Sequence, residues 1–297
     1  MDRKKLIRKA VIDLGTNTFN LLIAEFFEKK WTVVYNQKIG VLLGMGGINS
    51  QTIAEDAMAR GIQAMVKFKE ICDDYMVHHP MAIGTSALRD AKNKNIFINA
   101  VTKETGIKIE VISGEKEAEY IFKGVKKTFT QDSGVIMDIG GGSTEIIYFK
   151  NKQIIKKKSF NIGVSRIYQM FDFKDPISKK ESEELKKWFN QQTDGFLNDI
   201  NCNTLIGASG SFETLYELIH NKHFQSNTSI LLPIDALSNT LHKTSFSSYK
   251  ERNENEWIVP IRKKMIPFAA IKVQWLIDEL NIKEVYVSPY SMKEGFL

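Results

Sequence analysis

The sequence predicts an α/β fold made of two duplicated units, each opening on a β-meander. Three observations carry this expectation. The signature Asp13-Leu14-Gly15 returns as Asp138-Ile139-Gly140, 125 residues later. Each copy closes an apolar, buried-type run, residues 10–12 and 134–137, and leads into two further β-prone runs. The chain has 297 residues, enough for two domains at roughly 100–200 residues each. A repeat at this spacing reads as an internal duplication.

In the first half the opening run is followed by apolar segments at 19–27 and 31–35. Thr52 and Glu55 stand as a capping box, and Ala54, Ala57, Met58, Gly61, Ile62 and Met65 then recur at helical spacing. A short strand at 81–83 runs into Gly84-Thr85-Ser86. A helix over 97–105 stops at Gly106, a strand covers 108–112, and Ser113 begins another helix. In the second half, runs at 145–149 and 153–158 complete the second meander. Ser178 and Glu181 cap a helix running towards Phe196, and a strand at 204–207 precedes Ala208-Ser209-Gly210. The polar stretch 244–256 reads as a long loop, 265–280 as an apolar helix and 285–287 as a last strand.

Composition excludes several classes. Hydrophobic residues at 43% and charged residues at 26% suit a globular chain and not a disordered one. No apolar run reaches the ~18 residues of a membrane-spanning helix. Residues 1–9 are basic but lack the apolar core of a signal peptide. Two cysteines, Cys72 and Cys202, support neither a disulfide scaffold nor a zinc module and point to a reducing compartment; the expected location is the cytoplasm. Residues 1–131 carry 20 basic and 15 acidic side chains, against 21 and 20 in 132–297. That imbalance is compatible with a polyanionic partner, but on charge alone a solvated surface is the better reading. No helix-turn-helix, aromatic RNA-binding signature or arginine run points to nucleic acid.

The densest chemical signal is Asp138-Ile139-Gly140-Gly141-Gly142-Ser143-Thr144-Glu145. Three glycines after a strand let backbone amides gather around phosphate oxygens. Ser143 and Thr144 add hydroxyls. Asp138 and Glu145 flank the loop as carboxylates of the kind that hold Mg²⁺ beside phosphates. The first copy, Asp13, Gly15, Thr16, Asn17 and Thr18, offers the same kind of turn with side-chain donors, although such strings also form ordinary Asx and Ser/Thr turns. Facing each other across a cleft, the two loops would grip one phosphate chain.

Ser209 and Gly210 sit at a strand-to-helix turn that suits either a ligand or tight packing. Arg89, after Gly84-Thr85-Ser86, could fork onto a phosphate or pair with Asp90. Glu115 and Glu117 both flank the apolar stripe of the helix that begins near Ser113, while Glu119 points further away. Periodicity does not choose between the first two as a general base. His220 and His223 lack a third metal ligand.

These strings together resemble the exopolyphosphatase/guanosine pentaphosphate phosphohydrolase family. The resemblance rests on residues 13–18, 84–89, 112–124, 138–145 and 207–210, in the family's order, with a weaker match at 288–295. It implies two actin-like domains of the ribonuclease H-like, sugar kinase/heat-shock/actin superfamily with an interdomain cleft, here expected at residues 1–126 and 127–297. It implies hydrolysis of a terminal phosphoanhydride with Mg²⁺ or another divalent cation. By the same resemblance Glu117 takes the place of the catalytic base, Asp138 and Glu145 of the metal carboxylates, and Arg89 of the phosphate-binding arginine. Thr16, Asn17, Thr18, Gly140, Gly141, Gly142, Ser143 and Thr144 take the place of the phosphate loops. Lys116 stands where many members carry a second glutamate, Asn20 where many carry histidine or arginine, and Lys264 where many carry an acid. The chain resembles the short branch that lacks a histidine–aspartate helical domain.

The substrate expected is inorganic polyphosphate, with guanosine pentaphosphate (pppGpp) as the alternative. No membrane partner is expected, and a homodimer is compatible with the resemblance. Readings of another class are an ATP-dependent small-molecule kinase and an actin-like nucleotide switch.

Overall fold

Continuous apolar runs rich in β-branched residues before each Asp-X-Gly signature build the strands from which both units grow. The computed structural model describes residues 7–28 and 30–297; the basic N-terminal stretch noted above lies, in its first six residues, outside them. In the first unit, β1 (Ile7–Leu14), β2 (Thr18–Phe27) and β3 (Lys30–Gly40) form an antiparallel meander. After α1 (Glu55–Asp74), the strand β4 (Met81–Gly84) pairs parallel to β1. The short α2 (Ser86–Asp90) and α3 (Lys94–Thr105) lead to β5 (Ile109–Val111), parallel to β4. The sheet order is β3-β2-β1-β4-β5. Phe19, Leu21 and Ile23 of β2 join Ala10, Ile12 and Leu14 of β1 in a core closed by Met65 and Phe68 of α1 and by Phe97 and Val101 of α3.

The second unit repeats this pattern and adds to it. It begins with α4 (Gly114–Val125), then β6 (Gly134–Ile139), β7 (Thr144–Lys150) and β8 (Gln153–Phe160) as the second antiparallel meander. Two helices, α5 (Val164–Met170) and α6 (Lys179–Thr193), precede β9 (Thr204–Ala208), which pairs parallel to β6. Then come α7 (Gly210–His220), β10 (Ile230–Leu231), α8 (Ile234–Ser245), α9 (Tyr249–Glu254), α10 (Ile266–Leu280) and β11 (Glu284–Val287). The order β10-β11-β9-β6-β7-β8 contains the five-stranded pattern of the first sheet, with β9 and β11 in the places of β4 and β5. A three-stranded meander flanked by two parallel strands in both units is the duplicated ribonuclease H-like, actin-like topology. No helix among the described residues is long and apolar enough to cross a membrane.

Three expectations need correction. The chain divides after Ser113, with Phe296 and Leu297 joining the first unit, so residues 114–126 belong to the second unit and not the first. The reason is packing: α4 lies on β7 and β8. The capping box at Thr52 and Glu55 does not form. Ala54 is the N-cap with no side-chain bond, because Asn93 both accepts from the Ile53 amide and donates to its carbonyl, each at 2.9 Å, while the Thr52 hydroxyl turns to Ser50 at 3.0 Å. Residues 244–256 are not one loop. They hold the end of α8 and all of α9, whose capping box pairs Ser248 with Glu251. The boxes differ in register: Glu181 and Glu251 stand three residues after their N-cap serines, whereas Glu55 is itself the first residue of α1.

Candidate active site

The chain between β6 and β7 turns on Gly140, whose amide donates to the Ser143 carbonyl at 3.0 Å. Behind this turn the chain leaving β8 comes back as a strap. The Val164 amide donates to the Gly140 carbonyl (3.0 Å), Ser165 and Arg166 amides to Gly141 (2.8 and 3.2 Å), and the Gly163 amide to Gly142 (3.3 Å). The Arg166 Nε adds a bond to the Gly142 carbonyl at 3.1 Å. A trans peptide directs its C=O and the next N–H in opposite senses. With three successive carbonyls held by the strap, the amides of Gly141, Gly142 and Ser143 all face away from it. None of the three donates to an acceptor among the described residues. That is the geometry of an anion nest. Gly163 is required at the contact, since a Cβ there would collide with the Gly141 carbonyl and the Gly142 backbone.

The two acids flanking this loop are cross-strand partners, Asp138 opposite Glu145, so their side chains share one face of the sheet. Burial pushes the Asp138 carboxyl above the ordinary aspartate range, opposed by the hydroxyls of Ser291 and Ser209 and the charge of Lys293. Glu145 is 1% exposed and accepts from the Ser159 hydroxyl at 2.6 Å. The same face carries Lys157, two residues before Ser159, which pairs with Glu119 of α4. The helix bearing Glu117 therefore lies over the face that bears Asp138 and Glu145. Along α4, Glu117 is buried at 8%, whereas Glu115 is exposed. Of the two acids that helical periodicity left open, Glu117 is thus the buried one.

Two carboxylates on one face give a small, hard-oxygen donor set. Mg²⁺ commonly takes one or two carboxylates and keeps several waters, so this pair fits it without a third protein ligand. No group of three or more His, Cys, Asp or Glu poised for a metal occurs among the described residues.

In the first unit, the Gly15 amide donates to the Thr18 carbonyl at 3.1 Å, the same turn as at Gly140. Val41 and Leu42 amides hold the Asn17 carbonyl (2.9 Å each), and Gly44 holds that of Thr16 (3.1 Å). Asp13 stands opposite Asn20 and accepts from its Nδ2 at 3.1 Å. Arg89 donates to the Ile112 carbonyl at 3.3 Å and lies 3.9 Å from Asp90, so the Asp90 contact expected as its alternative partner is present.

At the end of β9, Ser209 has φ 69° and ψ −179°, a region seldom occupied by any residue but glycine, and its hydroxyl donates to the Ile139 carbonyl at 3.3 Å. The space beside Gly210 is filled by the Arg262 guanidinium, which bonds the Thr214 hydroxyl at 2.9 Å. For Gly210 the packing role is thus present.

Sequence reasoning missed the strap Gly163-Val164-Ser165-Arg166, although Gly44 in the first unit follows its meander in the same way. It also missed Ser291, whose hydroxyl donates to Asp138, and Lys272 of α10. Lys272 is fully buried. Its Nζ donates to the Thr144 hydroxyl at 2.9 Å and to the Ile162 carbonyl. Burial lowers its pKa to about 7, with Glu145 pulling the other way. A single charge inside the run Ile266-Pro267-Phe268-Ala269-Ala270-Ile271-Lys272-Val273 was the available signal.

Duplicated actin-like topology with an anion nest beside two carboxylates defines a phosphate-handling class of protein. The model of the Ppx/GppA phosphatase family matches residues 22–297, and the chain belongs to that family. A guanosine-5'-triphosphate,3'-diphosphate pyrophosphatase of Pseudoalteromonas translucida is 37% identical over 97% of this chain and 58% of its own length. A bifunctional 3-dehydroquinate synthase/phosphatase of Fusobacterium nucleatum is 35% identical over 69% of this chain and 33% of its own. The chain thus spans between a third and three-fifths of these curated relatives. A crystal structure of an exopolyphosphatase from Cytophaga hutchinsonii superimposes with a TM-score of 0.93 at 34% identity, covering 97% of this chain and 96% of that one. The Aquifex aeolicus PPX-GPPA enzyme shares the fold, with a TM-score of 0.81 at 23% identity.

Proposed function

We propose that this protein is a phosphoanhydride hydrolase that releases terminal phosphate from inorganic polyphosphate. The observation that carries this reading is the set of three unspent, co-directed amides at Gly141, Gly142 and Ser143, which suits the non-bridging oxygens of a phosphoryl group. The near full-length likeness to the Cytophaga hutchinsonii exopolyphosphatase supports polyphosphate as substrate. The Pseudoalteromonas translucida relative favours a second reading, 5'-phosphate hydrolysis of guanosine pentaphosphate.

In the proposed reaction the nest and the Ser143 and Thr144 hydroxyls bind the terminal group. Gly15, Thr16, Asn17 and Thr18, together with Arg89, Ser209 and Gly210, donate to phosphate oxygens, and Asp13 acts on the phosphate through an intervening water or cation. Glu117 accepts a proton from water as its oxygen attacks the terminal phosphorus. The bridging P–O bond breaks and the shortened chain leaves with the bond's electrons. Asp138 and Glu145 would hold Mg²⁺, in part through water, and the ion would offset charge developing on the phosphate oxygens. Little covalent chemistry falls to the protein in such a transfer, so positioning and electrostatics carry the rate. The protein is proposed to work in the cytoplasm, as its unpaired cysteines suggest.

The test is phosphate release with Mg²⁺ from polyphosphate, guanosine pentaphosphate and ATP, for the wild type and Glu117→Gln. Release from polyphosphate, cut by about 10²–10⁴-fold in the variant with polyphosphate binding retained, is expected. Turnover of ATP alone, or an active Glu117→Gln, overturns the reading.

A further inference from the structure

The nest is built from backbone, yet a buried cation stands beneath it. Lys272 lies mid-way along α10, among Ala269, Ile271, Val273 and Leu276, all buried. Its ammonium meets the Thr144 hydroxyl and the Ile162 carbonyl and, from α6, the Phe189 ring at 5.4 Å, while the Glu145 carboxylate, next in the strand and on the other face of the sheet, acts on it only through its charge. Burying an ammonium is expensive, and an apolar residue of similar length often replaces a buried ion without loss of stability. Packing alone therefore gives no reason for a lysine here.

Its two bonds do give a reason. Thr144 is the first residue after the three amides of the nest. Ile162 immediately precedes Gly163, whose amide holds the Gly142 carbonyl. One ammonium thus ties the loop's exit to the strap that orients it. When protonated, the state a bound polyanion favours, it also places a positive charge beside the loop in a medium that screens it poorly.

We propose that Lys272 is a positioning residue of the phosphate cradle, fixing the Gly141–Ser143 amides through Thr144 and Ile162 and lending the cradle its charge. This rests on the phosphate reading above. No contact between Lys272 and substrate is required.

The experiment compares wild type, Lys272→Met and Lys272→Gln. Methionine keeps length and removes both charge and donors; glutamine keeps donors and removes charge. Tripolyphosphate affinity is measured by calorimetry, unfolding temperature by scanning, and KM and kcat on polyphosphate by phosphate release. Binding by the wild type tests the phosphate reading itself; if it does not bind, that reading falls and this inference with it. Given binding, Lys272→Met is expected to unfold no earlier than wild type, to bind tripolyphosphate at least about tenfold more weakly, and to raise KM by a like factor with kcat held within about threefold. Lys272→Gln should fall between the two. Unchanged affinity and KM in Lys272→Met overturn the inference. So does a fall in kcat with KM unmoved, the mark of a smaller active fraction. If Lys272→Met does not fold, Lys272→Gln decides by the same measures. If neither folds, the residue is structural and the inference fails.

Discussion

Gly15 and Gly140 make the same bond, each amide reaching the carbonyl three residues on, at 3.1 and 3.0 Å. In both units the chain leaving the third strand returns to hold the loop's carbonyls from behind. The surroundings differ. The first loop carries Thr16 and Asn17 where the second carries Gly141 and Gly142, and it sets Asn20 opposite Asp13 where the second sets Glu145 opposite Asp138. Beneath the second loop lies Lys272. One backbone device has thus been kept twice, with charge concentrated in only one copy. A phosphate grip can come from amides alone, whereas metal binding needs the added carboxylates.

The largest expected effect breaks this comparison at the straps. In Gly163→Ala the new methyl meets the Gly141 and Gly142 backbone, while in Gly44→Ala it meets the side chains of Thr16 and Ile48. Displacing the second loop by about 1 Å should lower kcat/KM on polyphosphate roughly 10²-fold; Gly44→Ala should cost less than about tenfold, since side chains yield more readily than backbone. Equal losses would show that the two loops share the work evenly.

A smaller effect separates the paired acids. Burial disfavours the Asp138 carboxylate, so Asp138→Asn should raise the unfolding temperature by about 2–4 °C. Asp13→Asn sets two amides face to face and should lower it. A scan in which both variants shift the same way removes the contrast. The last effect is in pH. The Lys272 pKa falls from the ordinary 10.5 to about 7 on folding. Between these values the unfolded chain binds the extra proton, so stability attributable to this residue rises with pH, and the full cost of burying the cation applies below 7. The unfolding temperature of the wild type should gain an upward slope from pH 7 to 9 that Lys272→Met lacks; an identical slope in both would refute the shift.

Much of this was legible before any coordinates. The Asp-X-Gly repeat exposed the duplication because strand–turn–strand signals are local. The glycine loop stood out as a candidate anion site because few other uses require three glycines beside two acids. What stayed hidden depends on contacts distant in sequence. Glu117 separated from Glu115 only when α4 was laid on β7 and β8. Ser291 meets Asp138 across 153 positions, and no local pattern predicts that meeting. The capping box at Thr52 and Glu55 misled because Asn93, 40 positions away, satisfies the Ile53 backbone instead. The box at Ser248 and Glu251 was within reach of the same rule and was masked by the polar composition around it.

Assigning α4 to the second unit has a wider meaning. The acid that would aim the water, the amides that would hold the target and the carboxylates that would seat the ion all belong to one folded body. Their spacing is set by a single sheet and its covering helix, so sequence drift in the other body leaves the distance from attacker to target untouched. Selection could then vary which anion is admitted without rebuilding the machinery that cuts it.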